Sequence, residues 1–321
     1  MVLMNRIETI GVDLGGTKLA VGVVDGEPKT LWSDQVPSNG YSQEGLIDLL
    51  AEQINRAHEA RPDARAAGVG IPATIDFESG HAVSTVNLDL EDLPIKDLLQ
   101  ERVGLPTVID NDANLAMLAE ALYGAARGAD YALMLTLGTG IGGGIWIGGE
   151  IFRGSTGSGA ELGHTVVDIN GPRCQGNCPG RGCIETFASG TAIARQGREA
   201  AEKYPESALG KLAASGEKIG GGAVTQAAKD GDAAALEVIS TAGHYLGNAI
   251  VSLTNIFQPE VVVLGGGAMA MGELILEPAR REVRERGLNP NNQAKIVAAE
   301  LGPDSGMIGA AALARIESEA S

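Results

Sequence analysis

An α/β fold in two lobes is what this sequence predicts, and three observations predict it. β-branched strand patterns alternate with helical ones along the chain. A strand–glycine turn–strand unit at the N-terminal end recurs about 125 residues later. At 321 residues the chain is also too long for one small core.

The elements follow in order. Ile7–Asp13 is a β-branched strand, Leu14–Lys18 a glycine turn and Leu19–Val24 a second strand, so the chain opens on a hairpin. Gln43–Glu59 sets Leu46, Leu49, Leu50, Ile54 and Ala57 on one helical face. Ala67–Ile71 is a strand ended by Pro72, and Thr107–Asp110 is a short buried strand feeding a helix over Ala113–Leu122. The second hairpin runs from strand Tyr131–Thr136 through a turn at Leu137–Gly144 to strand Ile145–Ile147. Residues 204–222, polar and glycine-rich, predict a loop. Ala233–Ile256 predicts a long helix in which Gly243 and Gly247, one turn apart, allow close packing. Val261–Leu264 is a buried strand opening through Gly265–Gly267 into a helix, and a last helix starts after Gly302–Ser305.

Composition narrows the partners. Hydrophobic residues at 44% and charged ones at 20% are globular proportions, and with aromatics at 3% the core must be Val, Ile, Leu and Ala. Twenty-four Lys and Arg against 41 Asp and Glu give a net charge of −17, which repels a phosphate backbone, so no nucleic-acid partner is expected. A small anion remains possible where backbone N–H groups and a metal act over a few ångströms. No apolar run has membrane-spanning length and no signal peptide is evident, so a cytoplasmic protein is expected.

Three glycine clusters are placed to meet phosphates or a nucleotide. In the first, Asp13 precedes Gly15, Gly16, Thr17 and Lys18, joining a carboxylate that could hold a hydrated metal to a turn whose N–H groups can come close to a ligand. A plain tight hairpin with an incidental Asp explains it equally well when it is taken alone, and the Walker spacing is missing. Gly138, Thr139 and Gly140 form the second, which is no dinucleotide fingerprint because strand rather than helix follows it. Gly265, Gly266 and Gly267 form the third, after a buried strand, where an adenine and ribose could lie.

Two further groups carry chemistry. Asp110-Asn111-Asp112-Ala113-Asn114 sits where a strand becomes a helix. One cap needs one polar side chain, and the surplus favours a site in which a carboxylate accepts a hydroxyl proton. Cys174, Cys178 and Cys183, with His164 ten residues ahead, offer three sulfurs and one nitrogen, the set for tetrahedral structural Zn²⁺; an odd, tight cluster makes a poor disulfide framework. His58, His81 and His244 occur singly and are expected to be structural or solvated.

Together, Asp13–Lys18, Asn111–Asn114, Leu137–Gly142, Glu161-Leu162-Gly163-His164, Cys178–Glu185 and Leu264–Gly267 resemble the ROK family of bacterial sugar kinases and repressors, over nearly the whole chain. The resemblance implies an actin/hexokinase-like (ribonuclease H-like) fold with a cleft between two lobes. The lobes would be 1–125, with the last helix at about 305–321 packing back on it, and 126–304. It implies Asp112 as catalytic base, and Asn87, Asn111, Asp112, Glu161, His164 and Glu185 as sugar-binding residues, with His164 serving zinc through its other ring nitrogen. ATP with Mg²⁺ and glucose are the implied substrates, and a homodimer or homotetramer the implied assembly. One departure stands out: Gln175-Gly176-Asn177 lengthen the loop between the first two cysteines and Pro179 replaces a glycine, so Cys174 would ligate from a longer loop than the family pattern has. A repressor of the same family would need a helix-turn-helix domain, and only six residues precede the first strand. An N-acetylhexosamine kinase and a polyphosphate-dependent kinase are the alternatives among enzymes, and a non-catalytic sugar-binding protein is opposed by Asp112 and the phosphate-facing turns.

Overall fold

The computed structural model describes residues 7–85 and 92–320. It divides into two units. One holds the described residues up to Gly128, Gly144–Ala160 and those from Glu300 onward; the other holds Ala129–Gly143 and Glu161–Ala299. A single cut at 125/126 would have given Gly144–Ala160 to the second lobe.

The first unit is built on a hairpin meander continued by parallel strands. β1 (Thr9–Leu14), β2 (Lys18–Val24) and β3 (Thr30–Pro37) pair antiparallel. After α1 (Gln43–Ala60), β4 (Ala67–Ile71) pairs parallel with β1. A small hairpin, β5 (Ala73–Asp76) and β6 (His81–Thr85), and α2 (Ile95–Val103) lead to β7 (Thr107–Asn111), parallel to β4, and to α3 (Asp112–Tyr123). The sheet order is β3-β2-β1-β4-β7. Its core buries Ile10, Leu14, Leu19, Leu50 and Ile54 completely, each worth about 1.5–3 kcal/mol. The Ser42 hydroxyl caps α1 by accepting from the Gly45 N–H at 3.2 Å.

The second sheet repeats this plan. β8 (Tyr131–Leu137), β9 (Ile141–Ile147) and β10 (Glu150–Ile151) are followed much later by β11 (Val261–Gly265) and β12 (Lys295–Ala298), in the order β10-β9-β8-β11-β12. β11 runs parallel to both β8 and β12. Gly142–Gly144, expected in the turn, lie inside β9 instead. The reason at Gly144 is close packing: a Cβ there would stand 2.5 Å from that of Met117 in α3.

Between β10 and β11 come α4 (Glu185–Ala188), α5 (Gly190–Lys203), α6 (Ala208–Ala214), α7 (Gly221–Lys229) and α8 (Ala233–Phe257). The loop expected over 204–222 is therefore corrected: it contains α6, capped by Ser207, whose hydroxyl accepts from the Gly210 N–H at 3.0 Å, and the start of α7. Gly243 and Gly247 do face α9 (Glu273–Arg286), where Cβ atoms would come within 2.7 Å of the Ile275 carbonyl oxygen and 2.6 Å of the Glu282 Cβ. Gly265–Gly267 open first into a single 3₁₀ turn, Gly267–Met271, and only then into α9.

The chain then returns to the first unit as α10 (Ser305–Ala320). This helix lies against β1 and β4 so closely that Cβ atoms at Gly11 and Gly68 would each stand 1.9 Å from a helix carbonyl oxygen, of Met307 and Ala310 respectively. The Thr9 hydroxyl donates to Ala311 O at 2.7 Å across the same contact. Among the described residues no helix is long and apolar enough to cross a membrane.

Candidate active-site residues

In the first unit the β1–β2 turn is braced from beneath and open above. The Gly15 N–H donates to Lys18 O at 2.8 Å. Ser38, 3% exposed, donates its hydroxyl to Gly15 O at 2.7 Å and its N–H to Thr17 O at 3.1 Å. Gly16, Thr17 and Lys18 are exposed, and a Cβ on Gly16 would meet nothing within 4 Å. The fold itself does not call for glycine there; a bare backbone suits close approach by an anion. Asp13, at the end of β1, pairs in register with Gly70 of β4. Burial, then the nearby Asp112 carboxylate, push its pKa up to about 7, with Lys18 opposing.

Asp112 is the first residue of α3 and half-buried, and the turn carrying it is fixed by its neighbours. Asn111 Oδ1 caps the helix by accepting from the N–H groups of Ala113 (2.9 Å) and Asn114 (3.2 Å), while its Nδ2 donates to Ala73 O at 3.2 Å. Asp110, 2% exposed, accepts from the Asn111 N–H at 2.7 Å and from Asn114 Nδ2 at 3.1 Å through Oδ1. Its Oδ2 accepts from Arg153, Nε and Nη2 each at 2.8 Å. Sequence reading missed Arg153: it belongs to no spacing pattern, and only the return of residues 144–160 to this unit brings it to Asp110. Asn87 lies outside the described residues.

In the second unit the β8–β9 turn is held by two other elements. Gly190, at the start of α5, donates its N–H to Gly138 O at 2.8 Å, and Gln175 Nε2 donates to Thr139 O at 3.2 Å. Glu185, 8% exposed, accepts from the Ile141 N–H at 2.8 Å. A Cβ on Gly140 would lie 2.3 Å from that carboxylate, so this glycine makes room for Glu185, whereas Gly138 and Thr139 are exposed. Gly266 (φ +86°) is needed by the fold, since its Cβ would come 2.5 Å from Leu137 O, while one on Gly267 would meet nothing within 4 Å. A bare, open glycine therefore recurs beside β11 as it does beside β1.

The zinc-type residues converge. The ligand atoms of His164, Cys174, Cys178 and Cys183 all lie within 4.8 Å of one another. Cys174 Sγ is 3.6 Å from His164 Nδ1. A tetrahedral ion with Zn–S about 2.3 Å and Zn–N about 2.0–2.1 Å sets S and N about 3.5 Å apart, so the donor set fits zinc. Burial, with the hydrogen bonds and charges of neighbouring thiols, raises the Cys174 thiol, and burial raises that of Cys183; a divalent cation would let such thiols ionise. Gly182 (φ +62°) shapes the loop, with its would-be Cβ 1.6 Å from Asp168 O. With Nδ1 turned to the thiols, His164 keeps Nε2 on the other side, 3.8 Å from the exposed Glu161 carboxylate. Glu185 Oε1 faces Cys174 Sγ at 3.8 Å, so one carboxylate meets both the cysteine loop and the β8–β9 turn.

Known proteins resemble this chain over nearly its whole length. The glucokinase of Thermotoga maritima is 40% identical over 316 residues, 97% of this chain and 98% of that one. The crystal structure of a ROK family glucokinase from Streptomyces griseus in complex with glucose and AMPPNP has a TM-score of 0.86 at 37% identity, covering 96% of this chain and 99% of that one. A putative xylose repressor from a Caldicellulosiruptor species is 32% identical over 282 residues, 86% of this chain but 70% of the repressor. Residues 9–317 match the ROK family, and the chain belongs to it.

Proposed function

We propose that this protein is an ATP-dependent glucokinase, which moves the γ-phosphoryl group of ATP to the 6-hydroxyl of glucose with Asp112 as general base. The observation that carries the reading is a half-buried carboxylate at the head of α3, on a turn fixed by Asn111 and Asp110. Likeness to glucokinases over nearly the full chain supports the substrate. Asp112 would take the hydroxyl proton as the sugar oxygen attacks the γ-phosphorus and ADP leaves, while the open backbone at Gly16, Gly138 and Gly267 would receive the nucleotide. Mg²⁺, accompanying ATP, would offset charge on the phosphates, and Asp13 would hold it through water. Asn111, Glu161, His164 and Glu185 would bind sugar hydroxyls. Zinc bound by His164, Cys174, Cys178 and Cys183 would hold the imidazole in one orientation.

Turnover of a sugar and donor panel tests the proposal. Each sugar hydroxyl paired with a polar partner costs roughly 1–3 kcal/mol when deleted. Glucose should therefore lead, 2-deoxyglucose should fall moderately and N-acetylglucosamine severely in kcat/KM, with ATP preferred to polyphosphate. N-acetylglucosamine matching glucose would move the substrate to an N-acetylhexosamine and leave the kinase reading intact; no phosphorylation of any sugar would end that too.

A further inference from the structure

We infer that Arg153 is a positioning residue for Asp112, acting through the Asp110 carboxylate. The inference rests on the reading of Asp112 as the base. Asp110 collects donors from both sides of that residue, the Asn111 N–H before it and the Asn114 side chain after it, through a single oxygen. The other oxygen is left to Arg153, which supplies two donors at 2.8 Å. Arg153 is itself confined. Its guanidinium carbon lies 3.6 Å from the centre of the Phe77 ring, at the turn after β5. The segment that carries it is pressed on β5 as well, since a Cβ on Gly157 would stand 1.7 Å from Ile75 O.

The chemistry of the pair makes it a lever on the α3 turn. Asp110 is almost wholly buried, and without Arg153 its charge would have no ion-pair partner among the described residues. A buried carboxylate in that state pulls in water or re-aims its remaining donors, and those donors are the backbone and side chain that flank Asp112. A reacting group misplaced by about 1 Å loses on the order of 10²-fold in rate. A residue that served only packing would lower thermal stability and leave turnover of the folded protein alone.

The experiment uses the full chain and compares Arg153→Met, Arg153→Lys, Asp110→Asn and the double variant Asp110→Asn/Arg153→Met, with Asp112→Asn beside them. For each, kcat, the KM for glucose and for ATP, and Tm are measured. Arg153→Met should lower kcat by roughly 10–100-fold with the KM for ATP unchanged. Arg153→Lys should recover part of that loss. The double variant, with neither charge left alone, should be no worse than Arg153→Met. Wild-type kcat in folded Arg153→Met, or losses of the two single variants that multiply in the double, would overturn the inference. If Arg153→Met does not fold, Asp110→Asn decides by the same loss in kcat. Asp112→Asn with wild-type kcat would remove the base assignment instead, whatever Arg153 does.

Discussion

The two sheets share one strand order, yet their equivalent turns carry different chemistry. Each has an antiparallel hairpin whose first strand pairs with a parallel neighbour, β1 with β4 and β8 with β11. Asp13 and Thr136 hold corresponding places one residue before the end of the first strand, and each pairs in register with a glycine, Gly70 or Gly265. In the first unit that place holds a carboxylate whose proton affinity is raised by burial and by Asp112. In the second it holds a neutral hydroxyl, and the acidic group, Glu185, arrives from a helix behind the cysteine loop. A duplicated scaffold thus keeps an open backbone at each turn, while its side chains differ: a buried carboxylate beside Asp112 in one unit, and a carboxylate against a His/Cys cluster in the other. The actin/hexokinase-like class accounts for the scaffold and not for that difference.

Asp112→Asn tests the acid–base side of this difference and should have the largest effect. Asn keeps the shape and cannot accept the proton, so kcat should fall by about 10²–10⁴-fold while glucose binding, followed by calorimetry, is retained. Near-wild-type turnover would take proton transfer away from the first unit.

Next in size is the zinc proposed for the second unit. Purified protein should hold about one zinc per chain, as a single four-ligand set implies. Cys183→Ser should lower both zinc content by elemental analysis and Tm. Because Glu185 touches the same loop, the KM for glucose should rise more than that for ATP. Fresh protein purified without chelator and free of zinc would reject the site.

Much of this was legible in the sequence because it rests on local rules. Glycine turns between β-branched runs gave both hairpins, and the polar run at 110–114 marked the strand-to-helix turn that Asn111 caps. Cysteine spacing with His164 marked a cluster that the fold does assemble, including Cys174 despite its lengthened loop. What stayed hidden depends on distant packing. Gly142–Gly144 read as turn residues, but at Gly144 the reason for glycine is α3, far away in sequence. Strand β3 alternates half-exposed and exposed residues and has no apolar run to reveal it. α6 sits in a polar stretch whose helix signal, the Ser207 cap, is one residue. Arg153 could be recognised only once Asp110 was seen buried, with Arg153 as its ion-pair partner among the described residues.

The smallest effect concerns Asp13, and it sharpens the comparison because Thr136 has no charge to lose. The native pKa lies near 7 against an ordinary value of 3.8. Between those values the folded protein holds a proton that the unfolded chain releases, so stability falls as pH rises through this window and the loss is complete above about 7. Below about 4 both states are protonated and the penalty vanishes. Asp13→Asn has no such term. Without nucleotide or added Mg²⁺ it should therefore melt higher than the parent at pH 8, on the order of a few degrees, and converge with it as pH drops toward 4. Thermal unfolding across that range measures the gap, and a gap independent of pH would mean that the carboxylate is not held near neutrality. Burial is the larger cause and Asp112 the smaller one. Repeating the melts in the Asp112→Asn background should consequently shrink the pH-dependent gap without closing it. Full closure would make the Asp112 charge, rather than burial, the dominant influence on Asp13.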